Sequence, residues 1–267
     1  MTLDKIICQA LEKKHPDKKV ALLLSGGVDS QSVGFACKRM GLEVVAYTFQ
    51  VGEWRSPDST ASERTCKRMG WEFNLIKVPV DNLENDFLEL AEKWKCKKKT
   101  QFECTWPFLY VFPKIEEKFV LTGLGADGYH GLSKKAMIHF KEPKEKFDEF
   151  RSSHYGQENL GGQLQQLMLC KEYGKTQIAP YLDSSVFDYF IQYDWNQLNK
   201  PMQKIKILMA FRDEFRLVGT RKHKNLQLIS GIDKVFHMLL KSDLNFNNRT
   251  RIMDLCRDYS DRSKAGI

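Results

Sequence analysis

The sequence predicts an α/β protein: a doubly wound, mostly parallel sheet in the N-terminal half, with a C-terminal helical lobe. Three observations predict it. Short apolar runs alternate with helical stretches up to about residue 125, as strands buried on both faces and their crossover helices do. A glycine-rich turn, Ser25–Ser30, joins the first of these runs directly to a helix. Beyond about residue 140 helical periodicity takes over and no clear strand is visible. The expected organisation is an α/β core over 1–140 and a helical lobe over 141–267, packed on the core.

Taken in order, residues 3–14 read as an amphipathic helix and Lys19–Leu24 as a strand. Gln31–Met40 reads as a helix ended by Gly41, a residue suited to a left-handed C-cap. Glu43–Phe49 is the second strand. Pro57 and Asp58 open a helix that stops at Gly70. Trp71–Val78 follows as the third strand and Leu83–Trp94 as another helix. Residues 105–118 read as helical, with Pro107 and Pro113 starting or kinking the segment. Phe119–Thr122 is a further buried strand leading into Gly123, Leu124, Gly125, Ala126 and Asp127. Helices are expected over 143–172, 183–194, 201–216 and 226–243.

The composition excludes several classes. No stretch approaches the roughly 20 apolar residues of a membrane span, and Asp4, Glu12, Lys13, Lys14 and Asp17 interrupt any signal-peptide core. A soluble cytoplasmic protein is expected. The 7 cysteines are scattered, with no C-x-x-C pair, which fits reduced thiols and removes the usual zinc-ribbon and iron–sulfur spacings. A net charge of +8, from 42 basic and 34 acidic residues, suits polyanions, nucleotides and nucleic acids alike. Much of the excess lies in Lys93–Lys99, Lys134–Lys146 and Arg216–Lys224. Each run also reads as a solvated face.

The chemistry concentrates in Ser25-Gly26-Gly27-Val28-Asp29-Ser30. Glycines let backbone N–H groups approach an anion, and the following helix directs its positive end at the same place. Ser25 and Ser30 add hydroxyls, and Asp29 adds an oxygen ligand for Mg²⁺. The spacing is neither that of a Walker loop nor that of the dinucleotide fingerprint. The hexapeptide resembles the pyrophosphate loop of the N-type ATP pyrophosphatases, whose S-G-G-x-D-S binds the β,γ-phosphates of ATP.

Further matches point within that superfamily to asparagine synthetase-like enzymes. Val120–Gly131 (VLTGLGADGYHG) resembles their S-G-x-G-x-D-E-x-F-G-G stretch, Thr105-Trp106-Pro107 their threonine–proline helix, Ala179–Asp183 their P-F-L-D segment, and Lys204–Arg212 their K-x-x-L-R helix. The resemblance covers about residues 18–225. It implies an adenine nucleotide α-hydrolase-like fold and cleavage of ATP to AMP and pyrophosphate, with a carboxylate activated as its adenylate and passed to ammonia or an amine. Asp29 and Asp127 would hold Mg²⁺. Gly123 and Gly125 would line the nucleotide site with the Ser25–Ser30 loop, and Leu23, Tyr47 and Thr48 would meet the adenine, although Leu23 reads equally as core. A lysine of the helical lobe would stabilise charge, Lys206 by alignment first and Lys204 next. Asp127 reads also as a turn residue. His130 is a candidate phosphate donor.

The resemblance also has departures. A glutamate of the family motif is Leu124 here, its D-E pair becomes Asp127-Gly128, and its late arginine aligns near Ala210. An apolar residue does no proton transfer, so a different acyl acceptor or acid substrate is expected. Fewer than thirty residues precede the loop, so nitrogen is expected from ammonia, an amine or a separate glutaminase. Two alternatives stay open: modification of a nucleic-acid base, and a nucleotide-binding module without chemistry.

Overall fold

The computed structural model describes residues 1–132, 143–155, 162–220, 226–239 and 261. Five strands, β1 (Lys19–Leu23), β2 (Glu43–Val51), β3 (Glu72–Val78), β4 (Phe119–Leu121) and β5 (Thr176–Ile178), form one sheet in the order β3-β2-β1-β4-β5. Every pairing is parallel; Ala21 sits between Val45 on one side and Val120 on the other. The chain winds outward from β1 through β2 to β3, then returns to lay β4 on the opposite side of β1. The strand order therefore reverses between β1 and β4, and the crevice beyond their C-terminal ends is where an open α/β sheet receives a ligand.

Alternation along β1 explains why both faces are covered. Val20, Leu22 and Leu24 join one buried cluster with Phe35, while Ala21 and Leu23 join another with Val45, Tyr47 and Val120. Helices α1 (Leu3–Glu12), α2 (Val28–Arg39) and α3 (Pro57–Met69) precede β3, and α4 (Leu83–Glu92), α5 (Lys99–Thr105) and α6 (Phe108–Val111) precede β4. The caps follow from composition. The Ser56 hydroxyl accepts the Ser59 N–H and Pro57 fills the first turn of α3, while Gly70 closes it at φ 72°. The segment expected as one helix over 105–118 is broken at Pro107 and Pro113 into α6 and a 3₁₀ turn over Phe112–Lys114.

One expectation needs correcting outright. Residues beyond 140 are not wholly helical, because Thr176–Ile178 pairs with β4 at the sheet edge. Three residues are too short to show a strand period. The 140/141 boundary falls within 133–142, outside the described residues, as do much of the Lys134–Lys146 run and 221–225 of the Arg216–Lys224 run. The remaining described helices are α7 (Ala126–His130), α8 (Lys144–His154), α9 (Gln163–Glu172), α10 (Ser184–Phe190), α11 (Trp195–Asn199), α12 (Ile205–Ala210), α13 (Arg212–Val218), α14 (Leu226–Ser230) and α15 (Ile232–Leu239). Helices α10 and α12 pack on α1. Among the described residues no helix is long and apolar enough to cross a membrane.

Candidate active site

The Ser25–Ser30 loop is closed on itself. The Ser25 N–H donates to Ser30 Oγ at 3.2 Å, the two hydroxyls meet at 3.1 Å, and the Gly27 N–H donates to Ser25 Oγ at 3.3 Å. Gly26 sits at φ 67°, and a Cβ there would lie 2.6 Å from Ala61 Cβ, so α3 leaves room only for glycine. The loop ends on α2, placing Asp29 in the first turn of a 12-residue helix.

The second glycine stretch docks directly on the first. A Cβ on Gly123 would lie 2.7 Å from the Ser30 nitrogen and 2.8 Å from the Asp29 carbonyl carbon. Glycine at 123 thus lets the end of β4 touch the start of α2. Gly125, at φ 93°, turns the chain against Leu182 and into α7, which carries Asp127.

Lys204 completes the cluster. It precedes α12 in the left-handed region, at φ 62°, and is 3% exposed. Its Nζ donates to Asp29 Oδ2 and to Asp127 Oδ1, both at 2.5 Å. Burial raises the Asp29 carboxyl to about 6, with Lys204 opposing and Asp127 adding to the rise. Burial also pulls the Lys204 ammonium down, but Asp29 and Asp127 outweigh it and hold it above the ordinary lysine value.

Two expectations change here. Lys206, the first candidate by alignment, is not in the cluster; its ammonium stands 4.1 Å above the Tyr193 ring. Lys204 lies outside α12, in its left-handed N-cap, whereas Lys206 lies within the helix, so the two side chains leave in different directions. His130 is not on the cleft wall that the phosphates would meet. It is fully buried, and its Nδ1–H donates to the Ala126 carbonyl at 2.8 Å, which leaves Nε2 as a bare acceptor. Burial, with Lys204 adding, pulls this imidazole down to about 3.

The cluster opens into a cleft of about 1000 Å³. Leu23, Tyr47 and Thr48 line it, but their polar atoms face inward: the Tyr47 hydroxyl donates to Glu117 Oε2 at 2.9 Å and the Thr48 hydroxyl donates to the Leu24 carbonyl. Leu124 is on the wall beside Gly123. Sequence reasoning missed Asn199 and Arg151, which also line the cleft. Asn199 Oδ1 accepts the Lys204 N–H at 3.4 Å, and its Nδ2 donates to the carbonyls of His130, at 2.8 Å, and Trp195, at 3.1 Å. The Arg151 guanidinium is buried, donates to the Phe190 carbonyl at 2.6 Å and stacks 4.1 Å from the Phe147 ring. A lone arginine or asparagine on a helix carries no spacing signal that would have singled it out.

Against known proteins, the asparagine synthase family profile matches residues 3–182. The chain belongs to the asparagine synthase family. It is 26% identical over 142 residues to a probable asparagine synthetase (glutamine-hydrolyzing) of Acanthamoeba polyphaga mimivirus, a match covering 50% of this chain and 25% of that protein. The chain thus spans about a quarter of that relative. Among solved structures, a U34-tRNA thiolase from Methanococcus maripaludis with its 4Fe-4S cluster aligns over 98% of this chain and 79% of its own, at 14% identity and a TM-score of 0.39. Asparagine synthase family members use ATP through the pyrophosphate-loop fold, and this chain places both glycine stretches of that fold at one crevice.

Proposed function

We propose that the protein is an AMP- and pyrophosphate-forming ligase. A carboxylate oxygen of a small-molecule acid attacks the α-phosphorus of ATP, the bond to the bridging oxygen breaks and pyrophosphate leaves. Ammonia or an amine then attacks the acyl carbon, AMP departs with the bonding pair, the nitrogen gives a proton to solvent, and an amide remains. The observation that carries this reading is the meeting of Asp29, Asp127 and Lys204 at the strand-order reversal, beside a loop built for phosphate.

The residues present fit Mg²⁺. Asp29 Oδ1 is buried and has no hydrogen-bond partner among the described residues. Asp29 and Asp127 offer hard oxygen atoms, and no group of three or more potential metal-binding side chains exists among the described residues. Mg²⁺ is commonly held by one or two carboxylates together with substrate phosphates, so Asp29 and Asp127 are the residues that would hold it. When bound, the metal would neutralise the polyphosphate charge. The backbone N–H groups at the start of α2 and the hydroxyls of Ser25 and Ser30 orient the phosphates. Lys204 would place its positive charge where negative charge builds up, beside the departing pyrophosphate. Leu124, with Phe108 and Val111 on the same cleft, gives the acid an apolar wall. The nitrogen source is free ammonia, an amine or a separate glutaminase, and the thiols of Cys8, Cys37, Cys66 and Cys170, none of them in a disulfide, suit a reducing cytoplasm.

The reading is tested by supplying ¹⁵N-ammonia, ATP and a small-molecule extract. A ¹⁵N-labelled amide formed in step with AMP is expected. AMP formation without any amide product, whether ¹⁵N-ammonia or any added ¹⁵N-amine is supplied, removes the ligase step. A second reading, activation of a nucleic-acid base, is favoured by the exposed Lys95, Lys97 and Lys98, which lead into α5 and so to Cys104 on the cleft. Retention on tRNA or DNA that weakens steeply with salt would support it.

A further inference from the structure

Lys204 behaves in this structure as a cation built into the protein. Its side chain is 4% exposed and stands between Asp29 Oδ2 and Asp127 Oδ1, at 2.5 Å from each. It is also fixed from behind. A non-glycine residue at φ 62° is uncommon, and Asn199 holds it there while binding the His130 carbonyl at the end of α7. The same amide therefore ties Lys204 to the helix that carries Asp127. The pairing is nevertheless not saturated. Two carboxylates face one ammonium, and Asp29 Oδ1 remains without a partner among the described residues.

An ammonium and a divalent cation cannot share this place without strong repulsion, because a partly buried site screens charge poorly. On the ATP–Mg²⁺ reading given above, on which this inference rests, we propose that Lys204 is an internal counter-cation that closes the Asp29–Asp127 pair to free divalent metal. Metal then enters only with a nucleotide, whose polyphosphate offers the ammonium another anion and draws it off the aspartates. Lys204 reaches the phosphate end of the cleft when, and only when, the metal arrives.

Mn²⁺ binding followed by electron paramagnetic resonance tests this without any turnover. Nucleotide-free wild type should bind Mn²⁺ weakly. Lys204→Met, which keeps the packed stem, and Lys204→Gln, which keeps a polar head, should each bind free Mn²⁺ at least about tenfold more tightly. Adding Asp127→Asn should abolish that gain, and Lys204→Arg should exclude Mn²⁺ as wild type does. Wild type that binds free Mn²⁺ as tightly as a folded Lys204→Met or Lys204→Gln protein overturns the proposal, as does tight Mn²⁺ binding by wild type alone if neither variant folds. ATP added to wild type separates the two levels. Failure to bind ATP and Mn²⁺ together refutes the ATP–Mg²⁺ reading, while the nucleotide-free comparison judges the counter-cation by itself.

Discussion

Lys204 and Lys206 are two residues apart and carry the same charge, yet the structure gives them different work. One is buried between Asp29 and Asp127, and the other lies on the Tyr193 ring. Lys204→Ala should lower turnover about 10²- to 10³-fold, the usual cost of removing a preorganised charge-stabilising donor. Lys206→Ala should leave turnover unchanged and cost stability only about 0.5–1 kcal/mol, the low end for a cation–π contact; steady-state AMP release and thermal melting check the pair. Asp127→Ala should lose turnover while calorimetry still detects nucleotide on the Ser25–Ser30 loop. Turnover that survives it would remove Asp127 from the metal site, and wild type that binds ATP without ever turning it over would mark a nucleotide-binding module. His130 gives a pH prediction. Its folded value, about 3, lies below the ordinary imidazole value near 6.5. The unfolded chain therefore takes up the proton first, and stability present above about pH 6.5 is lost as pH falls toward 3. His130→Gln should flatten that part of a melting-temperature profile measured against pH.

At the scale of elements, the decisive feature is one backbone pressed on another. The Gly123–Ser30 approach leaves no room for a methyl group, and the 2.7 Å contact is with backbone, which cannot swing aside. Gly123→Ala should cost about 1–3 kcal/mol, as overpacking does, and weaken ATP binding together with stability. Denaturant unfolding and nucleotide titration on the same preparation check this, and an unaltered variant would mean that the two loops are not coupled. The elements that sequence pattern revealed are those with strong local signals: β1 is an apolar run, and α3 carries its own caps at Ser56, Pro57 and Gly70. Strand β5 gave no such signal, since Thr176-Gln177-Ile178 becomes a strand only through pairing with β4. The lysine was misjudged for a related reason. Alignment places both lysines in one helix, whereas Lys204 lies just outside it, in a left-handed cap that sequence periodicity does not describe. Asn199 was invisible because its role depends on joining α7 to Lys204 across the tertiary fold.

At the scale of the molecule, parallel winding and its reversal between β1 and β4 bring residues 25–30, 122–127 and 204 to one crevice. The glycine motifs announced the first two stretches, because glycine lets the backbone turn and approach closely there. The third reaches the crevice on helices that pack back against α1, so that the C-terminal part closes the site over the phosphate loop. The cleft wall around Leu124 is the least legible region: Leu124 signals an apolar wall, but Arg151 and Asn199 are brought there by packing alone. The central claim is that this crevice breaks the α,β-bond of ATP. The most direct measurement is ³¹P NMR of Mg²⁺–ATP incubated with the protein, ammonia and a small-molecule extract, with Asp29→Ala run in parallel. AMP and pyrophosphate in equal amounts, lost in Asp29→Ala, is the predicted result; ADP and phosphate that disappear with the same substitution would contradict the account.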